Sequence, residues 1–223
     1  MNVKKQGIFI VVTFLLFLIL IFLLLTFDVA PIGPEGTQIG LSHLNSIVRD
    51  LIGFHPTVYM VTEAFGILAL LVCIAFAYLG CYQLIRRHSF RAVDRHLFLL
   101  AILYAIVLFL YVFFEKVIIN YRPFVLPGEA GPEPSFPSSH TILACIAFGS
   151  AFLLIPKYIK NRCLSDVLRA LSASAAILLV LGRFFSGAHW FTDIIGGILL
   201  SVTLLSFFSL GLQIGNKSGR SSK

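Results

Sequence analysis

Within residues 182–193 an arginine, a histidine and an aspartate stand together in a chain that is otherwise mostly apolar. Arg183 precedes His189 across a Ser-Gly-Ala turn, and Asp193 follows four positions after the histidine. If the chain is helical from Trp190 onward, His189 and Asp193 share one helix face. The carboxylate then holds one imidazole nitrogen and leaves the other free to attack. Arg183 brings a fixed positive fork to an anion. Nucleophile, orienter and anion clamp fit in one short stretch.

Two other segments carry related chemistry. Residues 134–141 run Pro-Ser-Phe-Pro-Ser-Ser-His-Thr into an apolar segment, a helix-start signal. A helix start offers free backbone N–H groups and a partial positive charge, to which Ser138 and Ser139 can add hydroxyls. His140 stands at the mouth of that helix. The bland alternative is a capping sequence with an incidental interfacial histidine. Lys116 and Arg122-Pro123 lie where another apolar segment ends. Alone, these two cations read as snorkelling interfacial side chains.

The elements that must position these groups are membrane spans. The chain of 223 residues is 58% hydrophobic and 12% charged, with a mean hydropathy of +0.96. That composition excludes an ordinary soluble domain. Apolar runs predict six transmembrane helices over about 8–27, 59–85, 97–118, 140–156, 167–182 and 191–214. The expected fold is an all-α polytopic bundle forming one domain over 1–223. The first run is long for a signal-peptide core and has no small-x-small cleavage site behind it, so it reads as a retained helix. Between the first two spans, Ile39, Leu44, Ile47, Val48, Leu51 and Ile52 recur at near-helical spacing. This predicts a short amphipathic helix on the membrane surface or against the bundle.

Six spans put both termini on one side, and the basic residues then sort themselves. The amino terminus, the 86–95 loop, the 157–169 region and the tail with Lys217, Arg220 and Lys223 hold 13 of the 17 Lys and Arg. The positive-inside rule assigns that side to the cytoplasm. The net charge of +7 therefore reports cytoplasmic loops, and no nucleic-acid partner is expected. Only Arg49, Lys116, Arg122 and Arg183 remain near the outer face, three of them beside the segments above. A charge at the apolar edge of a membrane is costly and marks function. The four cysteines form no C-x-x-C pair, so neither a disulfide framework nor a zinc site is indicated.

This topology brings the end of span three and the starts of spans four and six to one face. Three cations, two histidines, hydroxyls and a carboxylate then make an oxyanion site with a nucleophile and a proton donor. Phosphoryl transfer needs such a set.

The chain resembles the type-2 phosphatidic acid phosphatase family of membrane lipid phosphatases, whose site is similar to that of vanadium haloperoxidases. The family motifs are Lys-x6-Arg-Pro, Pro-Ser-Gly-His and Ser-Arg-x5-His-x3-Asp. Here stand Arg122-Pro123, then Pro137-Ser138-Ser139-His140, then Arg183-x5-His189-x3-Asp193. The resemblance covers about residues 60–214. It implies that His189 takes the phosphoryl group as a phosphohistidine, that Asp193 orients it, and that His140 protonates the leaving oxygen and then serves as base for water. It further implies that Lys116, Arg122, Ser138 and Arg183 bind phosphate, with the backbone N–H of Ser139, and that no metal or other cofactor is needed.

Three positions depart from the pattern. Lys116 is one residue too close to Arg122, and Glu115 occupies the family's lysine spacing; a long lysine can compensate if the helix unwinds near Ile119. Ser139 replaces a glycine, and Gly182 replaces the serine before Arg183. His43 and His55 fall in the outer loop, His88 and His96 at the basic inner loop, and Glu129 and Glu133 in the site loop. Trp190 and Tyr121 sit at the depth of interfacial aromatics.

The expected activity is metal-independent hydrolysis of a lipid phosphate or diphosphate at the outer face of the cytoplasmic membrane. Undecaprenyl diphosphate, phosphatidic acid and phosphatidylglycerol phosphate are the candidate substrates. The alternatives are a lipid phosphotransferase and a non-catalytic anion-binding membrane protein.

Overall fold

A computed structural model describes residues 2–125 and 128–221, the stretch 215–221 by its backbone alone. The side chains of Lys217 and Arg220, and the whole of Lys223, therefore lie outside the described residues. Seven α-helices follow one another there: α1 (Val3–Thr26), α2 (Ser42–Ile52), α3 (Pro56–Arg87), α4 (Arg95–Lys116), α5 (Ser139–Tyr158), α6 (Arg162–Phe185) and α7 (Phe191–Ser221). All except α2 are long and apolar enough to cross a membrane. They are the six expected spans in order, and a spanning helix satisfies its own backbone where there is no water to do so.

Local chemistry sets the boundaries. Pro56 opens α3 in the first turn, where its missing N–H costs nothing. Asn161 caps α6, accepting from the Leu164 N–H at 3.0 Å, so this helix starts before the expected 167. It also continues past 182, which puts Arg183 inside its last turn. By contrast, α4 stops at Lys116 rather than 118.

The central post is α5, which packs against α3, α6 and α7. Its buried Ala144, Ala147, Ser150 and Ala151 let neighbouring backbones come close, the usual basis of helix association in lipid. Along α7 lies α1, joined by Thr203 Oγ1 donating to Thr13 Oγ1 at 2.9 Å and Gln6 Nε2 donating to the Ser206 carbonyl at 3.0 Å. Ile10, Phe17 and Leu24 are buried in this packing, so α1 is a working member of the bundle. Outward faces carry Phe22, Leu108 and Ile177, all exposed in the isolated chain.

The amphipathic α2 is present, with an arrangement that differs from a soluble surface helix. Ser42 and Asn45 face the protein, while His43 and Asp50 are exposed. Asn45 is fully buried, donating to Thr192 Oγ1 at 3.0 Å and to the Gly40 carbonyl at 2.9 Å. Leu44, Ile47 and Leu51 point outward. Asp28 fixes the start of α2, accepting from Ser42 Oγ and the His43 N–H, each at 2.8 Å. The helix thus braces the first turn of α7 and offers an apolar side outward, as an interfacial helix does.

Candidate active site

The start of α3, the start of α5, the end of α6 and the start of α7 meet at one end of the bundle, together with the segment after α4. That segment is pinned by a short antiparallel pairing of Tyr121 with Pro134. The Arg122 N–H donates to the Glu133 carbonyl and the Ser135 N–H to the Asn120 carbonyl, both at 2.9 Å. Arg122 is thereby held beside the entrance to α5.

His189 does not share a helix face with Asp193, because α7 begins only at Phe191. The two still meet for a different reason. Asp193 is the third residue of α7, and its Oδ2 accepts from the Trp190 N–H at 3.1 Å, the reach-back of a capping box. That turns the carboxylate toward the preceding loop, where Oδ2 lies 3.6 Å from His189 Nδ1. Asn120 Nδ2 donates to the other oxygen at 3.3 Å. The approach to His189 needs Gly187, which has φ +68 and no room for a Cβ against the Gly53 carbonyl.

His189 Nε2 faces Arg122 Nη1 at 3.3 Å, and Arg122 Nε is 3.0 Å from Glu133 Oε2. The His189 side chain is 1% exposed. Burial first, and then the charges of Arg122, Arg183 and His140, keep its pKa well below that of an ordinary histidine. It is therefore neutral near pH 7, with Nε2 available as a lone pair.

Arg183 is completely buried. Its Nη1 donates to Thr62 Oγ1 at 3.0 Å and to Glu63 Oε1 at 2.8 Å, both from α3. Its Nε and Nη2 are buried without a protein partner, so one edge of the fork is held and the other keeps unused donors for an anion. Gly182 allows this: a Cβ there would lie 2.6 Å from the Thr62 methyl. The hydroxyl that Gly182 cannot supply comes from Thr62 instead.

His140, in the first turn of α5, faces Glu63 Oε2 through Nε2 at 3.3 Å. A cavity of about 590 Å³ reaches His140 and His189 from the apolar sides of α3, α4 and α5. Arg122, Ser139, His140 and His189 line its polar end; Leu70, Cys73, Tyr104, Val107, Leu143 and Ile146 line the rest.

Three expected phosphate ligands are not among the lining: Arg183, which is buried behind His140 and Glu63, Ser138 and Lys116. Ser138 is fully buried as the cap of α5, its Oγ accepting from the Thr141 N–H at 3.4 Å and from Thr141 Oγ1 at 3.1 Å. Lys116 is the last residue of α4 and is exposed: the chain leaves the helix from Val117 onward, ahead of Ile119 as compensation required, yet the lysine is not part of the cavity lining. One residue is about 100° of helix rotation, and Glu115 takes the cavity side with Tyr111. Lys116→Ala is accordingly expected to change phosphate release by less than about threefold, as for an exposed charge screened by solvent. A much larger loss would return this lysine to the site.

Thr62, Glu63 and Asn120 were not singled out by the motifs. Glu63 carries its own signal, since it is the one charged residue between Pro56 and Ile85, and an ionisable group inside a span marks function.

The fold and site define a class: a multi-pass, all-helical membrane phosphatase. The family model of the PAP2 superfamily matches residues 95–214, more than half of the chain, and the chain belongs to that superfamily. Among solved structures it is similar to the "first transmembrane PAP2 type phosphatidylglycerolphosphate phosphatase from Bacillus subtilis", with 21% identity and a TM-score of 0.64, over 93% of this chain and 96% of that one. No curated protein sequence matches it. The protein is an enzyme of the lipid phosphatase class.

Proposed function

We propose that the protein hydrolyses a phosphomonoester or diphosphate on a membrane lipid, without a metal ion, through a phosphohistidine at His189. The observation that carries this reading is the cavity, which runs from apolar side chains to Arg122, His140 and His189. A lipid can lie in it with its chains against α3, α4 and α5 and its phosphate at the cations. Substrate then arrives sideways from the bilayer, at the outer face of the cytoplasmic membrane if the basic loops lie inside.

In the first step Nε2 of His189 attacks phosphorus in line with the leaving oxygen. The N–P bond forms, the ester P–O bond breaks, and His140 gives that oxygen its proton. Asp193 stabilises the charge that develops on the ring of His189. Arg122 and the unused donors of Arg183 neutralise the equatorial oxygens, a task that a metal ion performs in other phosphoryl-transfer sites. In the second step His140 takes a proton from water, the water oxygen attacks phosphorus, the N–P bond breaks and inorganic phosphate leaves.

Undecaprenyl diphosphate, phosphatidic acid and phosphatidylglycerol phosphate remain the candidates, the last also being the substrate named for the Bacillus subtilis protein. The test is phosphate release from these three lipids by detergent-purified protein in excess EDTA. Turnover of at least one is expected to survive chelation and to be lost in His140→Ala. Activity that disappears with EDTA and returns with a divalent cation would contradict the reading.

A further inference from the structure

Each of the two histidines has a carboxylate at one ring nitrogen. For His189 it is Asp193, within the motif. For His140 it is Glu63, from a helix that begins far earlier in the chain. Glu63 Oε2 lies 3.3 Å from His140 Nε2 while Oε1 accepts from Arg183 Nη1 at 2.8 Å. The edge of the ring that carries Nε2 backs onto α3 at Gly66, where a Cβ would stand 2.9 Å from Cδ2 and 3.2 Å from Nε2. His140 Nδ1 is buried and has no protein partner, and the residue lines the cavity.

We propose that Glu63 is a positioning residue for the reaction. It holds His140 by Nε2, so that Nδ1 is the nitrogen that gives and takes the proton, and it ties that ring to the phosphate-binding Arg183. This rests on the phosphohistidine reading above. The carboxylate only accepts, so Nε2 must carry a hydrogen. Neutral His140 then has its lone pair on Nδ1 and can take a proton from water there. Protonated His140 has a proton at Nδ1 to give to the leaving oxygen. Gly66 gives the ring its seat, and Thr62 steadies the guanidinium at the other end of the bridge.

Glu63→Gln keeps the shape and reverses this. Arg183 can only donate, so it takes the amide oxygen, and the amide NH₂ turns to His140 Nε2. That nitrogen must now accept, which moves the proton of the neutral ring to Nδ1 and leaves no base there. The second step and the hydrolysis of poor leaving groups then fail, while phosphate binding stays.

The experiment uses full-length protein in detergent and compares a lipid phosphate ester with p-nitrophenyl phosphate, whose phenolate leaves without a donated proton. Glu63→Gln is expected to lose about 100-fold in lipid turnover, within the range of general acid–base effects. With the nitrophenyl ester it should release about one nitrophenolate per protein at nearly the wild-type first-turnover rate and then stall. Inhibition by inorganic phosphate should be unchanged. His140→Ala should behave alike, and the double variant should lose little more than either single one.

Lipid turnover by Glu63→Gln within about threefold of wild type would overturn the proposal, since general acid–base roles are worth more than that. So would loss of the first turnover together with phosphate inhibition, or losses that add to those of His140→Ala, because either would mean a merely structural carboxylate. His189→Ala separates the underlying reading: it should give no first turnover, and a burst in that variant would overturn the phosphohistidine itself, whatever Glu63 does.

Discussion

His189→Ala is expected to lower lipid phosphate turnover by roughly 10⁴-fold or more, the loss seen when a covalent nucleophile is removed. The fold should survive. Asp193 keeps its bonds from the Trp190 N–H and Asn120 Nδ2, so the buried carboxylate is not stranded when the imidazole goes. The variant should purify as wild type and unfold at a similar temperature, with phosphate release from a lipid substrate as the readout. An alanine variant with a tenth or more of the wild-type rate would remove His189 from the chemistry. The ring is buried at the end of the cavity, and burial keeps its pKa below that of an ordinary histidine, which suits it to the attack proposed.

Arg183→Lys is expected to lower kcat/KM by about 100- to 1,000-fold, the size of effect found when a preorganised donor to a developing oxyanion is lost. The charge is kept and the fork is not. In the wild type, one Nη meets Thr62 and Glu63 and leaves Nε and the other Nη free. A single ammonium cannot hold Glu63 and still present a planar pair of donors to phosphate. Competitive inhibition by inorganic phosphate should weaken in parallel. Unchanged phosphate affinity would assign Arg183 to holding α3 against α6 alone.

The spans and their order were legible because twenty-residue apolar runs leave few options for a chain in water or lipid. So was the pairing of His189 with Asp193, although the reason differed: a first-turn carboxylate reaching back to the helix start, not two groups on one helix face. Less legible was anything that depends on helix phase or on where a hydroxyl finds its partners. The resemblance puts Lys116 at the phosphate although its spacing is one residue short, and in the structure that one residue leaves it off the face shared by Tyr104, Val107, Tyr111 and Glu115. Ser138 has the expected position at the start of α5, but its Oγ is buried there, accepting twice from Thr141. The orientation of α2 was not readable from periodicity, which shows that a helix has two sides without saying which meets protein. Glu63 was visible as a lone charge in a span. Its partners, Arg183 and His140, come from α6 and α5, and no spacing rule connects them.

In the proposed reaction phosphorus is bonded for a time to His189. The direct measurement is to mix the enzyme with substrate labelled with ³²P in the phosphate, quench within the first turnovers, and test the protein for bound label. The label is expected to resist alkali, to be released by acid, to map to the peptide containing His189, and to be absent from His189→Ala. Label that persists in that variant, or hydrolysis whose first turnover deposits none on the protein while water oxygen enters phosphate directly, would contradict that bond to His189.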